Sequence, residues 1–104
     1  MKVELLYFDG CPSYERLLPR LLELVAETDP SAEVERRRIE TIEEAERERF
    51  LGSPTVRVDG LDVDPGAAAR DDFGLNCRLY RWDGEESPVP HEQWIRDALS
   101  GGKR

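Results

Sequence analysis

The chain has 104 residues, enough for one domain with a core of its own and too few for two. Its formal charge of -8 opposes both a phosphate backbone and an anionic bilayer, which argues against nucleic-acid and membrane partners. Hydrophobic residues are 38% and charged residues 37%, so a densely ionic surface should enclose a conventional core. No stretch approaches the length of a membrane span. The opening run Met1 to Leu6 carries Glu4 and lacks a cleavage site, so it reads as a strand and not an export signal. The expected location is therefore the cytoplasm, where Cys11 and Cys77 should be free thiols rather than a disulfide framework.

Val3 to Phe8 is an almost continuous apolar run, as expected of a strand covered on both faces. Asp9-Gly10 turns the chain and Pro12 opens a helix, in which Tyr14, Leu17, Leu18, Leu21, Leu22 and Val25 recur at helical spacing. Pro19 falls inside this helix and should bend it, and Asp29-Pro30 ends it. Ala32 to Ile39 is read as a second strand. Thr41 with Glu44 forms a capping box for a short helix to about Phe50. After Gly52-Ser53-Pro54, Thr55 to Val58 alternates as a strand and Asp59-Gly60 turns. Asp64 to Arg70 reads as a single helical turn. Leu75 to Arg81 reads as the last strand, with Leu75, Cys77 and Leu79 on its inner face. Pro90 opens a final helix with the stripe Trp94, Ile95, Ala98 and Leu99, stopped by Gly101. The order βαβαββα predicts an α/β domain over 1–100. Its four-stranded mixed sheet should carry helices on both faces, the first two strands parallel and the last two antiparallel. Residues 101–104 are expected to form a disordered tail.

This order resembles the minimal thioredoxin fold, and three local features resemble it as well. Cys11 stands at a strand-to-helix junction, and Cys11-Pro12-Ser13-Tyr14 is similar to the glutaredoxin Cys-Pro-x-Cys motif with Tyr14 in place of the second cysteine. Pro19 has the spacing of the helix-kinking proline, and Ser53-Pro54-Thr55-Val56 resembles the segment that holds a cis-proline opposite the active thiol. A closer likeness is to small bacterial thioredoxin-family or DF-family (seleno)proteins, sometimes called alkylmercury-lyase-like. It rests on Phe8-Asp9-Gly10-Cys11-Pro12, Gly52-Ser53-Pro54-Thr55 and Cys77-Arg78-Leu79-Tyr80. The chain departs from thioredoxins at Gly10, where they carry tryptophan, and at Leu5, where they carry a buried acid.

Cys11 is the candidate nucleophile. At a helix start a thiolate meets unpaired N–H groups and the positive end of the macrodipole, which lowers its pKa. The alternative is a cysteine that merely begins the helix. Pro12, Ser13, Tyr14, Ser53, Pro54 and Thr55 are the expected substrate-binding surroundings. A cis Ser53-Pro54 bond, implied by the resemblance, would offer the backbone of Ser53 to an extended thiol substrate. Tyr14 either bonds the thiolate or packs in the core, and Asp9 is either a proton donor or a turn-former. Cys77 is expected on the inner face of its strand, three residues before Tyr80 and about 10 Å from Cys11. That distance excludes a native Cys11–Cys77 disulfide. His91 alone makes no metal site, and no metal or cofactor is implied.

The function expected from the resemblance is that of a monothiol redox protein. Cys11 would attack a disulfide or peroxide, and a low-molecular-weight thiol, a protein partner or a second copy of the chain would resolve the adduct. Two other functions stay open: a docking module without turnover, including a cluster shared across a dimer, and the handling of mercury or another soft metal.

Overall fold

The computed structural model describes residues 1–101. Its elements are β1 (Lys2–Tyr7), α1 (Ser13–Thr28), β2 (Glu33–Arg38), α2 (Ile42–Arg47), β3 (Thr55–Val58), β4 (Leu61–Asp62), β5 (Tyr80–Trp82), β6 (Glu85–Ser87) and α3 (Glu92–Leu99). The expected tail falls outside the described residues apart from Gly101. A four-stranded mixed sheet runs in the order β2-β1-β3-β4, with β1 parallel to β2 and antiparallel to β3. No helix among the described residues is long and apolar enough to cross a membrane.

Strand alternation divides the core between the two faces of the sheet. Val3 and Leu5 of β1 and Val56 and Val58 of β3 meet the apolar stripes of α1 (Leu17, Leu21, Leu24, Val25) and α3 (Trp94, Ile95, Ala98, Leu99). Leu6 points the other way and packs with Ile39, Ala45 of α2 and Phe50. Glu4 shares that second face, where its carboxylate accepts from Arg37 at 3.1 Å. Charged β2 is an edge strand tied down by ion pairs, Arg37 to Glu48 at 3.1 Å and Lys2 to Glu35 at 3.2 Å. Thr41 caps α2 by accepting from the Glu44 amide at 3.0 Å, while the Glu44 carboxylate accepts from the Glu40 amide at 2.8 Å.

The last strands depart from the sequence reading. The antiparallel partner of β3 is not Leu75–Arg81 but the two residues Leu61–Asp62, returned by Asp59 (φ 50) and Gly60 (φ 86). Two successive positive-φ residues make the tight turn whose twist matches a hairpin, so pairing is local. Asp83 (φ 51) and Gly84 (φ 81) repeat the device and join β5 to β6 in a separate two-stranded sheet. Leu75 to Leu79 forms no strand, and its supposed inner-face alternation does not exist: Leu79 is 59% exposed. The buried side chain in this segment is Arg78, at 2% exposure.

Candidate functional site

Cys11 follows the turn that ends β1, where Gly10 adopts φ 95. Pro12 leads into α1 in a helical conformation, leaving the first amides of the helix without a side-chain cap. β3 runs antiparallel to β1 with Thr55 opposite Leu6, so the residues just before β3 lie beside the end of β1. The Ser53–Pro54 peptide there is cis. The Cys11 thiol is 3.5 Å from the Ser53 carbonyl oxygen, to which it donates when protonated.

The segment before β5 is laid along the residues before β3. The Ser53 amide donates to the Asn76 carbonyl at 2.9 Å, and the Arg78 amide donates to the Ser53 carbonyl at 2.9 Å. This parallel bridge sets Cys77 directly against Ser53. The Gly74 amide donates to Phe50 at 3.1 Å and the Asn76 side-chain amide to Leu51 at 3.2 Å. The crossing is so close that a Cβ on Gly52, at φ 133, would lie 2.7 Å from Nδ2 of Asn76 and 2.8 Å from its carbonyl oxygen.

Two side chains pin this segment. The Arg78 guanidinium is buried, donates to Thr55 Oγ1 at 3.0 Å, and pairs with Asp62 at 2.7 Å and Asp64 at 3.3 Å. It also lies 4.4 Å from the centre of the Tyr80 ring. The buried Tyr80 hydroxyl donates to the Pro54 carbonyl, and burial pushes its pKa far above the ordinary value, so it stays a donor. Arg78, Tyr80, Asp62 and Gly52 therefore build the site although none hydrogen-bonds to the Cys11 sulfur. The run Cys77-Arg78-Leu79-Tyr80 was visible in the sequence, but its long-range partners were not.

The consequence is that the two sulfurs meet. Cys77 Sγ lies 3.5 Å from Cys11 Sγ, which overturns the separation of about 10 Å expected from an extended last strand. Both are free thiols, Cys11 buried and Cys77 exposed. Burial pushes the Cys11 thiol up, but the polar groups of Ser53, Cys77 and Ser13 around it outweigh that, and the net shift is downward. The Ser53 hydroxyl beside it is buried without a hydrogen-bond partner among the described residues. Cys77 shifts upward, because its proton bridges to Cys11 and because burial and the neighbouring thiolate oppose a second charge. The two shifts run in opposite directions, so Cys11 is the sulfur of the pair that ionises first.

The other candidate residues divide differently. Tyr14 takes the packing role: its ring stacks on Tyr7 with centroids 4.0 Å apart. Asp9 holds the turn and pairs with Arg38 at 3.0 Å. Thr55 donates to the Gly52 carbonyl at 2.6 Å and accepts from Arg78, and so braces the loop. Both backbone groups of Ser53, expected to be free for a substrate, are taken by the chain's own residues 76 and 78. His91 caps α3 by accepting from the Gln93 amide at 3.0 Å and stacks on Trp82. Asp9, Gly10, Cys11, Pro12, Tyr14 and Glu15 line an open cleft at the start of α1. A second cavity of about 350 Å³, among Arg49, Arg57, Asp62 and Phe73, is lined by neither cysteine. No group of three or more potential metal ligands occurs among the described residues.

Fold and site together define a mixed α/β protein with a pair of facing thiols, one at the start of its first helix and one in the segment before its fifth strand. Comparison with family models, curated proteins and solved structures finds no match for this chain.

Proposed function

We propose that this is a thiol redox protein of thioredoxin-like architecture in which Cys11 is the nucleophile. The observation that carries the reading is the place of the Cys11 sulfur: buried at the start of α1 beside the Ser53 carbonyl, 3.5 Å from the Cys77 sulfur, with its pKa held below the ordinary thiol value. A thiolate in that position attacks one sulfur of a disulfide, forms a mixed disulfide and releases the other half as a thiolate. Attack by a second thiol on Cys11 Sγ or its partner sulfur completes the exchange. Low-molecular-weight or protein thiols and disulfides are the partners, and a reducing cytoplasm is the setting that suits two free thiols. Cys11→Ser should abolish thiol transfer in a mixed-disulfide assay, and unchanged activity in that variant would end this reading.

The facing sulfurs favour one further reading, capture of a soft metal ion between two thiolates. It predicts stoichiometric binding of mercuric ion that both Cys11→Ser and Cys77→Ser weaken equally. Retention of binding by either variant would reject it.

A further inference from the structure

The Ser53 edge is full. In an architecture of this kind the residue before the cis-proline would offer its amide and carbonyl to an extended substrate, but here residues 76 and 78 occupy both groups. The cysteine between them is consequently presented to Cys11 as a substrate thiol would be, 3.5 Å from its sulfur. Arg78 and Tyr80 hold that presentation from one side, and Gly52 permits it from the other by leaving room for Asn76. An extended peptide therefore has no Ser53 backbone groups left to pair with, and Cys11, 2% exposed, is approached past exposed Cys77 or through the open cleft beside Tyr14.

We propose that Cys77 is the resolving thiol of this site, and that its oxidising substrate is a low-molecular-weight disulfide. The proposal rests on Cys11 being the nucleophile. The Cys11 thiolate attacks the disulfide RSSR, the Cys11–S–SR bond forms and RS⁻ leaves. Cys77 loses its proton to solvent and attacks Cys11 Sγ, expelling the second RS⁻ and forming the Cys11–Cys77 bond. The chain gives up two electrons and the disulfide takes them, yielding two molecules of thiol. An external low-molecular-weight dithiol returns the pair to the reduced state by the same exchange in reverse.

The test uses hydroxyethyl disulfide, an uncharged probe, with intact-mass and peptide mapping. The unaltered chain should lose two hydrogens and show a Cys11–Cys77 linkage. Cys77→Ser, at an exposed position, should instead hold the hydroxyethylthio adduct on Cys11, at least about a hundredfold longer than the unaltered chain does. Cys77→Ala should trap the same adduct. A lasting adduct on Cys11 of the unaltered chain, or a linkage between two chains, would overturn the resolving role while leaving Cys11 as nucleophile. An adduct on Cys77 of Cys11→Ser, formed at the wild-type rate while Cys77→Ser stays inert, would overturn the assignment of the nucleophile itself. A disulfide-bearing extended peptide that oxidises the pair faster than the probe would overturn the substrate class.

Discussion

Gly52 carries more of the site than its size suggests. Its φ of 133 disfavours any L side chain, and a methyl group there would press on Asn76 at under 3 Å. Gly52→Ala should lower stability by about 1–3 kcal/mol, read from urea unfolding. It should also slow bridging by pushing Cys77 away from Cys11. At Cys11 the signature is in pH. A thiol whose folded pKa lies below its unfolded value of about 8.5 makes stability rise with pH between those two values. The contribution is complete above the unfolded value and is lost as pH falls through the folded one. Denaturant titrations of the unaltered chain and Cys11→Ser should therefore diverge as pH rises through that window. Parallel curves would show that the thiolate is not favoured by the fold.

The stretch from Asn76 to Leu79 forms no regular strand, yet it is held by two backbone hydrogen bonds to Ser53 and by the side chains of Arg78 and Tyr80. Arg78→Met would leave Asp62 and Asp64 without their buried partner, and should cost about 3–5 kcal/mol by chemical denaturation. Tyr80→Phe strands the Pro54 carbonyl and should cost about 1–3 kcal/mol by the same measurement. These anchors also explain what the sequence could and could not tell. β1, α1 and the Thr41–Glu44 cap are written in local periodicity and spacing, and Asp59-Gly60 announces its hairpin. The Asp83-Gly84 turn was equally local, and it places the last two strands at Tyr80–Trp82 and Glu85–Ser87. What no local pattern contains is the burial of Arg78, whose partners lie 14 and 16 positions earlier in the chain. A parity argument exposes Arg78 and buries its neighbours Cys77 and Leu79, the reverse of the structure. The site was thus legible at Cys11 and illegible at Cys77.

For the molecule as a whole, bridging Cys11 to Cys77 would close a loop spanning 66 positions, from α1 through β4. Restricting the unfolded chain in this way stabilises the native state by up to about 4 kcal/mol. The oxidised protein should accordingly unfold at higher denaturant than the reduced one, a difference absent in Cys77→Ser. Both tryptophans of the chain sit at the far end of the same structural connection. Tyr80 lies 6.2 Å from Trp94 between ring centres, and Trp94 meets Trp82 edge-on at 5.6 Å. Cys77 is joined to this aromatic cluster through the short run Arg78-Leu79-Tyr80, whose tyrosine is one of its rings. The intrinsic fluorescence of the protein should then act as a built-in gauge of bridging, changing when Cys77 is drawn onto Cys11 and staying constant when Cys11 alone is modified.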